Sequence, residues 1–501
     1  MDIKDLLLKQ ADKNSQKTAL IFEDKQFNFW QVKDITFRLA NYFLAAGLTK
    51  GERIAIYLPN NPQALFSFLG SFSIGLTVVP LDFMLTQEEV INFINHSQAK
   101  VLITQPKKEI NLAQIEDSCP SLDIIIISKE KVEEIPFWDE IISEYKSDTP
   151  YVKLEPQDAA AIFYTSGSTG HPKGVLLDYA HLDNPSQIID YFLKVTAKDV
   201  FLCGGVPFSH IGGLDYILLM VNFASTLVLM ERFQPLEFLK NIQSHKVTIF
   251  CIVPAMYVAI LSLKEYDKFD LSSLRYAVVF GAPSSEVLLK RFHKAYPRAR
   301  LSNGWGMTET AAPNTLLSPD SDNISSIGKF TADMEVKIVN EQENSLGPEE
   351  RGELWVRGRA VMKEYYQEKE LTRQVLTPER WLKTGDIAYY DRQGFFYIVG
   401  RKKEMIKVAG EIVFLAEVEE KIRRYPKIKE VAVVGVPDSL RGEVPKAFIV
   451  TEEAKLDEQK LKEFLKIHLA HFKIPHYFEV VKDLPRNRTG KVDKLKLVQS
   501  S

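Results

Sequence analysis

The sequence predicts an α/β protein that ends in a smaller α+β module, and three observations carry that prediction. Up to about residue 150, helical patterns alternate with short apolar runs at residues 53–58, 77–80, 100–104 and 124–127, the order that builds parallel strands with helices packed on the sheet. A glycine-rich stretch at 164–175 separates the apolar runs 159–163 and 175–177, as a loop between two buried strands does. Near the C-terminus, strand-like runs at 430–436 and 446–451 flank an amphipathic helical stretch at 457–469, which suits a compact α+β unit.

Composition narrows the function classes. The chain has 501 residues, 45% of them hydrophobic, enough for several domains or subdomains with real cores. A net charge of −3 gives no electrostatic footprint for nucleic acid or an anionic membrane surface, so small molecules are the expected partners. Cys119, Cys203 and Cys251 are few, odd in number and far apart; they read as buried small apolar groups in a reducing cytoplasm, with no disulfide framework and no zinc site. The first sixteen residues form an amphipathic pattern with one three-leucine run, neither a signal peptide nor a membrane span, and a soluble cytoplasmic protein is expected.

The loop itself reads as a polyphosphate cradle. In Tyr-Thr-Ser-Gly-Ser-Thr-Gly-His-Pro-Lys-Gly-Val, Gly167, Gly170 and Gly174 let backbone N–H groups approach phosphate oxygens. Thr165, Ser166, Ser168 and Thr169 add hydroxyls, and Lys173 adds charge behind the stiff Pro172. It is not the Walker pattern, because Lys173 is followed by Gly174 and strand-forming residues instead of Ser or Thr opening a helix.

This stretch closely resembles the signature loop of the adenylate-forming superfamily, which includes acyl-CoA synthetases, luciferases and peptide-synthetase adenylation domains. The resemblance continues to the C-terminus. It implies a large N-terminal domain of α/β subdomains with mixed sheets, residues 1–400, followed by a small mobile α+β domain, residues 401–501.

Taken in order, the later segments fit that expectation. The run 214–230, interrupted by Asp215 and Asn222, predicts a buried helix followed by a strand. Just ahead stand His210, Gly212 and Gly213; a lone histidine also suits a structural role, but the resemblance sets this segment against the acyl group, with Met256, Met307 and Ala312 as further pocket candidates. Runs 247–254 and 276–280 read as buried strands, the second ending in Gly281-Ala282-Pro283, which resembles the family's adenine-binding turn. In the segment 303–310, Trp305 lies between Gly304 and Gly306 and offers an aromatic face for a purine, while Thr308 and Glu309 offer a hydroxyl and a hard carboxylate for phosphate and Mg²⁺. Trp305 stands where the family usually has tyrosine, and Asn303 where glutamine or asparagine is common. Asp386, directly after Gly385, resembles the ribose-binding aspartate.

From residue 394 onward the sequence resembles the family's hinge. Arg401 matches a ribose-contacting arginine, Lys403 the hinge position, and Lys407, Ala409 and Gly410 the segment that approaches the second substrate. Ala409 replaces a frequent glycine, and Leu415 replaces the usual proline. Lys491, in Thr-Gly-Lys, matches the catalytic lysine.

The resemblance therefore implies an acid:CoA ligase that uses ATP, Mg²⁺ and coenzyme A, with Lys491, Thr165, Lys173 and Glu309 as its catalytic groups. No basic residue is placed for a second carboxylate, so a fatty or aryl monocarboxylate is favoured over amino acids or diacids, and the small or apolar pocket candidates suggest a long slot, which disfavours acetate. Loading of a carrier-protein thiol and a noncatalytic nucleotide-binding regulator are the alternatives; retention of Lys491 and Glu309 speaks against the latter. A homodimer is compatible with the sequence.

Overall fold

The structure, a computed structural model, describes residues 2–165, 173–281, 286–318, 321, 323–408, 411–438, 440–452, 456–486 and 491–499. Two large sheets form the body. In one, strands Thr18–Phe22, Thr226–Met230, Val200–Gly204, Ile249–Ile252, Tyr276–Val279 and Arg300–Trp305 run parallel, with antiparallel strands at both edges. In the other, Ile124–Ile127, Val101–Thr104, Arg53–Tyr57, Thr77–Pro80 and Ala159–Thr165 run parallel, and Lys173–Asp178 returns antiparallel beside the last. The sheets are mixed, and the strands expected through residue 150 are present.

Two helices show why this body needs so many apolar residues. Pro62–Ser73 begins with Asn61 capping the backbone N–H of Ala64 and proline in the first turn, and every residue but Gln63 is buried. Ile211–Phe223 is likewise apolar almost all round and buried. A helix of that kind must be enclosed, and both contribute to one continuous core that spans residues from both large sheets.

A four-stranded antiparallel sheet, Met334–Val339, Gly352–Gly358, Leu382–Tyr390 and Phe396–Arg401, follows. The C-terminal sheet begins at Met405–Val408 and has its own core. Here the structure corrects the sequence reading. Strands Ile428–Asp438 and Gly442–Thr451 form a direct hairpin, and the helix Glu458–His468 follows both instead of lying between them. The hairpin Thr18–Phe22/Lys25–Asn28 was not anticipated: its strands are short, and its turn places a glutamate, Glu23, at φ +52° without the usual glycine signal. Cys119 and Cys203 are buried free thiols, but Cys251 is only half-buried. Among the described residues no helix is long and apolar enough to cross a membrane.

The two parts are tied together at several points. Lys402 pairs with Glu353 at 2.8 Å and Arg351 with Glu417 at 3.3 Å. A Cβ at Gly400 would lie 3.3 Å from that of Ala416, so strand Phe396–Arg401 and helix Leu415–Arg423 pack closely.

Candidate active site

Asp386 is the centre of the site. It follows Gly385, whose φ of +71° turns the strand, and it lies directly across from Arg401 in the antiparallel pair Leu382–Tyr390/Phe396–Arg401. That register brings the Arg401 Nε to 2.7 Å from Asp386 Oδ1. From the end of strand Arg300–Trp305, the indole Nε1 of Trp305 donates to Asp386 Oδ2 at 2.8 Å. Asp386 is only 3% exposed. Burial pushes its carboxyl up, while Arg401, the Trp305 N–H and the charge of Lys491 oppose that shift.

Lys491 thus reaches this centre from the far end of the chain. Lys491 is an exposed residue, yet the protein near its ammonium desolvates it in part, and this, helped by Arg401, holds it below the ordinary lysine range, while Asp386 and Glu404 pull the other way. His210, at the N-cap of helix Ile211–Phe223, also feels Lys491: burial lowers its imidazole, Asp82 opposes this, and Lys491 adds to it.

A second group surrounds Glu309. This residue lies in the 3₁₀ turn Thr308–Thr310, 8% exposed, with its backbone carbonyl accepting from the Met362 N–H at 2.8 Å. The Tyr365 hydroxyl donates to its Oε1 at 2.8 Å. Strand Glu364–Tyr365 pairs with Lys173–Asp178, and the Lys173 ammonium lies over the Tyr365 ring, 5.2 Å from its centroid. Tyr365 therefore joins the end of the glycine-rich loop to the carboxylate. Burial and Glu309 push its phenol up, and Arg401 opposes them, which links this group to the first. Thr165 pairs across the strands with Lys173. Ser166, Gly167, Ser168, Thr169 and Gly170 lie outside the described residues, as do Ala282, Pro283, Ala409 and Gly410.

Tyr365 escaped the sequence reading because nothing in Glu-Tyr-Tyr marks one ring as functional. Trp305 was read in the wrong posture. Instead of an open aromatic face it is 7% exposed, packed edge-on against Phe330 at 5.6 Å, with its N–H committed to Asp386. Its flanking glycines serve packing: a Cβ at Gly304 would lie 2.6 Å from the Thr315 carbonyl oxygen, and one at Gly306 2.6 Å from the Ala312 Cβ. Asn303 donates to the Ser326 carbonyl at 3.3 Å, and Thr308 is half-buried at the start of the 3₁₀ turn Thr308–Thr310. Gly281, by contrast, is exposed at φ +83°, and among the described residues only Val253 is within contact of an added Cβ.

At the expected acyl site, Gly212 and Gly213 differ. A Cβ at Gly213 would lie 2.2 Å from the Pro207 carbonyl oxygen, whereas one at Gly212 would meet only Val206, at 3.8 Å. Among the described residues Gly212 has room beside it, and Gly213 permits packing. Met256 and Met307 are half-buried and Ala312 is buried. Lys403 is exposed in the 3₁₀ turn Lys402–Glu404, and Lys407 is exposed on strand Met405–Val408.

Glu309 passes a simple test for Mg²⁺. Among the described residues there is no cluster of three or more His, Cys, Asp or Glu side chains fit to hold a metal. One buried carboxylate is nevertheless the donor set that suits Mg²⁺, which binds through one or two carboxylates together with substrate phosphates.

Comparison with known proteins shows the family. The AMP-binding enzyme family model matches residues 7–366, and the AMP-binding enzyme C-terminal domain model matches residues 417–491. A long-chain-fatty-acid–CoA ligase of Bacillus subtilis is 32% identical, with 99% of this chain and 94% of that protein covered. A crotonobetaine/carnitine–CoA ligase of Citrobacter koseri is 32% identical over 97% of each. Among solved structures, an anthranilate CoA ligase in complex with anthranoyl-AMP superposes with a TM-score of 0.93 at 25% identity, covering 100% of this chain and 97% of that one. A Mycobacterium tuberculosis fatty acyl CoA synthetase gives 0.78 at 27%, covering 100% and 98%. On these grounds the chain belongs to the AMP-binding enzyme family and is an AMP-forming acid–thiol ligase.

Proposed function

We propose that the protein activates a monocarboxylic acid longer than acetate, fatty-acid-like in its chain, by forming an acyl-adenylate and then passing the acyl group to coenzyme A. The observation that carries this reading is the convergence of Asp386, Arg401, Trp305 and Lys491 from four separate segments. An ionised carboxylate offers about four acceptor positions. Arg401 and Trp305 use one on each oxygen of Asp386, which leaves acceptors for the two vicinal hydroxyls of a ribose.

In the first half-reaction a carboxylate oxygen of the acid forms a bond to the α-phosphorus of ATP, and the bond from that phosphorus to the bridging oxygen breaks, releasing pyrophosphate. Free carboxylate is inert to thiols because oxide leaves poorly; AMP leaves easily. The protein contributes charge and position. Lys173 faces the phosphates, Gly281 approaches the base, and Lys491 places positive charge where acid and α-phosphate meet. Mg²⁺ bound with ATP at Glu309 would neutralise charge on the phosphates, and Tyr365 holds that carboxylate in place. In the second half-reaction the coenzyme A thiol attacks the acyl carbon and AMP departs.

Lys491 serves only the first step. We set the domain boundary at residues 400/401, with Lys403 as the hinge about which the small domain turns to present Lys407 and the segment beside it to coenzyme A. The turn Lys402–Glu404 between the two sheet systems supports this. Pyrophosphate release measured across fatty, aryl and amino acids, with and without coenzyme A, tests the proposal. The expected result is acid-dependent release that increases beyond acetate and acyl-CoA formation when coenzyme A is present. Equal turnover of acetate counts against the long slot, and transfer only to a carrier-protein thiol counts against coenzyme A.

A further inference from the structure

Helix Ile211–Phe223 contains one residue that its apolar surroundings do not explain. Asp215 lies one turn beyond Gly212, on the same side of the helix, and is 8% exposed. Among the described residues its buried Oδ1 has no hydrogen-bond partner and no cation pairs with the side chain, and burial pushes its carboxyl well up. Its electrostatic neighbours are the Tyr216 phenol and Cys251, and Tyr216 is itself anchored by donating to the Cys251 carbonyl at 2.9 Å. Cys251 sits in the strand that leads to Val253, the residue facing Gly281. Asp215 therefore lies on the Gly212 side of the helix, near the strand whose end adjoins Gly281.

A buried carboxyl without a partner is costly, and replacing it with an apolar residue would ordinarily stabilise a protein. Its presence here makes sense if the partner comes with the substrate. We infer that Asp215 receives a cationic amino or ammonium group carried on the chain of the substrate acid, several atoms from the carboxylate that is activated. The inference rests on the proposed placement of the acyl chain beside Gly212. Lys491 and His210 mark the carboxylate end, and Asp215 is five residues along the helix from His210, about 7.5 Å at the helical rise. That separation suits an acid of the length of 6-aminohexanoate, whose chain between the two charged ends would run past Gly212.

The test compares kcat/KM for acyl-AMP formation from 6-aminohexanoate and heptanoate, which differ chiefly in an ammonium in place of a methyl group. The unaltered protein is expected to favour 6-aminohexanoate by tenfold or more. Asp215→Asn should lower that ratio at least tenfold, and Asp215→Leu should invert it while keeping or raising thermal stability. Preference for heptanoate by the unaltered protein, or an unchanged ratio in folded Asp215→Leu, overturns the inference. Gly212→Phe separates this failure from failure of the underlying placement. If it weakens both acids while Asp215→Leu leaves the ratio alone, the slot is right and the ammonium site is wrong. If Gly212→Phe leaves KM for both acids unchanged, the acyl chain does not pass there and both readings fall.

Discussion

Replacing Trp305 with phenylalanine removes one hydrogen-bond donor from the site while keeping an aromatic ring, and so separates two roles for this side chain. The indole N–H meets Asp386 Oδ2 at 2.8 Å, and Asp386 is 3% exposed. A hydrogen bond to a charged acceptor contributes about 1.5–3 kcal/mol, and about 1.4 kcal/mol is a tenfold change in an equilibrium constant. Arg401, whose side chain is 42% exposed, holds only the other oxygen and is partly screened, so it does not replace the lost contact. The expected effect is a rise of roughly 10- to 100-fold in the ATP concentration needed for pyrophosphate release. The loss should be smaller with 2′-deoxy-ATP, because that substrate already lacks one ribose contact to Asp386. The combination Trp305→Phe with Asp386→Asn should be strongly non-additive, as for groups that act through one another. The acid limb of the pH profile should also move. Trp305 favours the ionised carboxylate of Asp386, so its removal raises that carboxyl further, and activity is lost at a higher pH as the medium is acidified. If Trp305→Phe leaves ATP dependence intact while Trp305→Ala does not, the ring stacks and the N–H is incidental, and the reasoning is refuted.

Further outcomes follow from the same geometry. Tyr365→Phe keeps the ring under Lys173 but removes the hydroxyl on Glu309, so the Mg²⁺ concentration for half-maximal adenylation should rise several-fold while Glu309→Ala reduces adenylation by orders of magnitude; an unchanged Mg²⁺ titration for Tyr365→Phe would show that the phenol does not position the carboxylate. Lys403→Pro fixes one backbone angle in the turn Lys402–Glu404, and should spare pyrophosphate release while slowing acyl-CoA formation from supplied acyl-AMP; transfer at the parent rate would place the hinge elsewhere. Because burial holds the Lys491 ammonium below the ordinary range, adenylation should lose its charged lysine at a lower pH than a free lysine would titrate. Lys491→Arg should shift that alkaline limb upward, and a limb that stays in place would assign it to another group.

Much of this architecture was legible in the sequence because strand and turn chemistry are local. The alternation of apolar runs gave Thr77–Pro80 and Ile124–Ile127 their observed bounds, and Asp386 and Arg401 could be matched one by one to a motif. What remained hidden was relational. The pairing of Asp386 with Arg401 depends on a register set across two strands, and the contact from Trp305 crosses 81 positions. Trp305 between two glycines looked open, yet those glycines exist to let neighbouring backbone and Ala312 come close, which buries the indole. Tyr365 became visible only when strand pairing set it between Lys173 and Glu309. Asp215 registered merely as a break in an apolar run, because whether a polar side chain has a partner is a property of the folded protein alone.

One lysine, brought by the small domain to a site in the large one, is proposed to serve the first of two chemical steps and not the second. The most direct test is Lys491→Ala assayed in both half-reactions: pyrophosphate release from ATP plus acid, and acyl-CoA formation from supplied acyl-AMP plus coenzyme A. The account predicts that the first nearly disappears and the second stays close to the parent rate. Equal loss of both in a folded variant would contradict it.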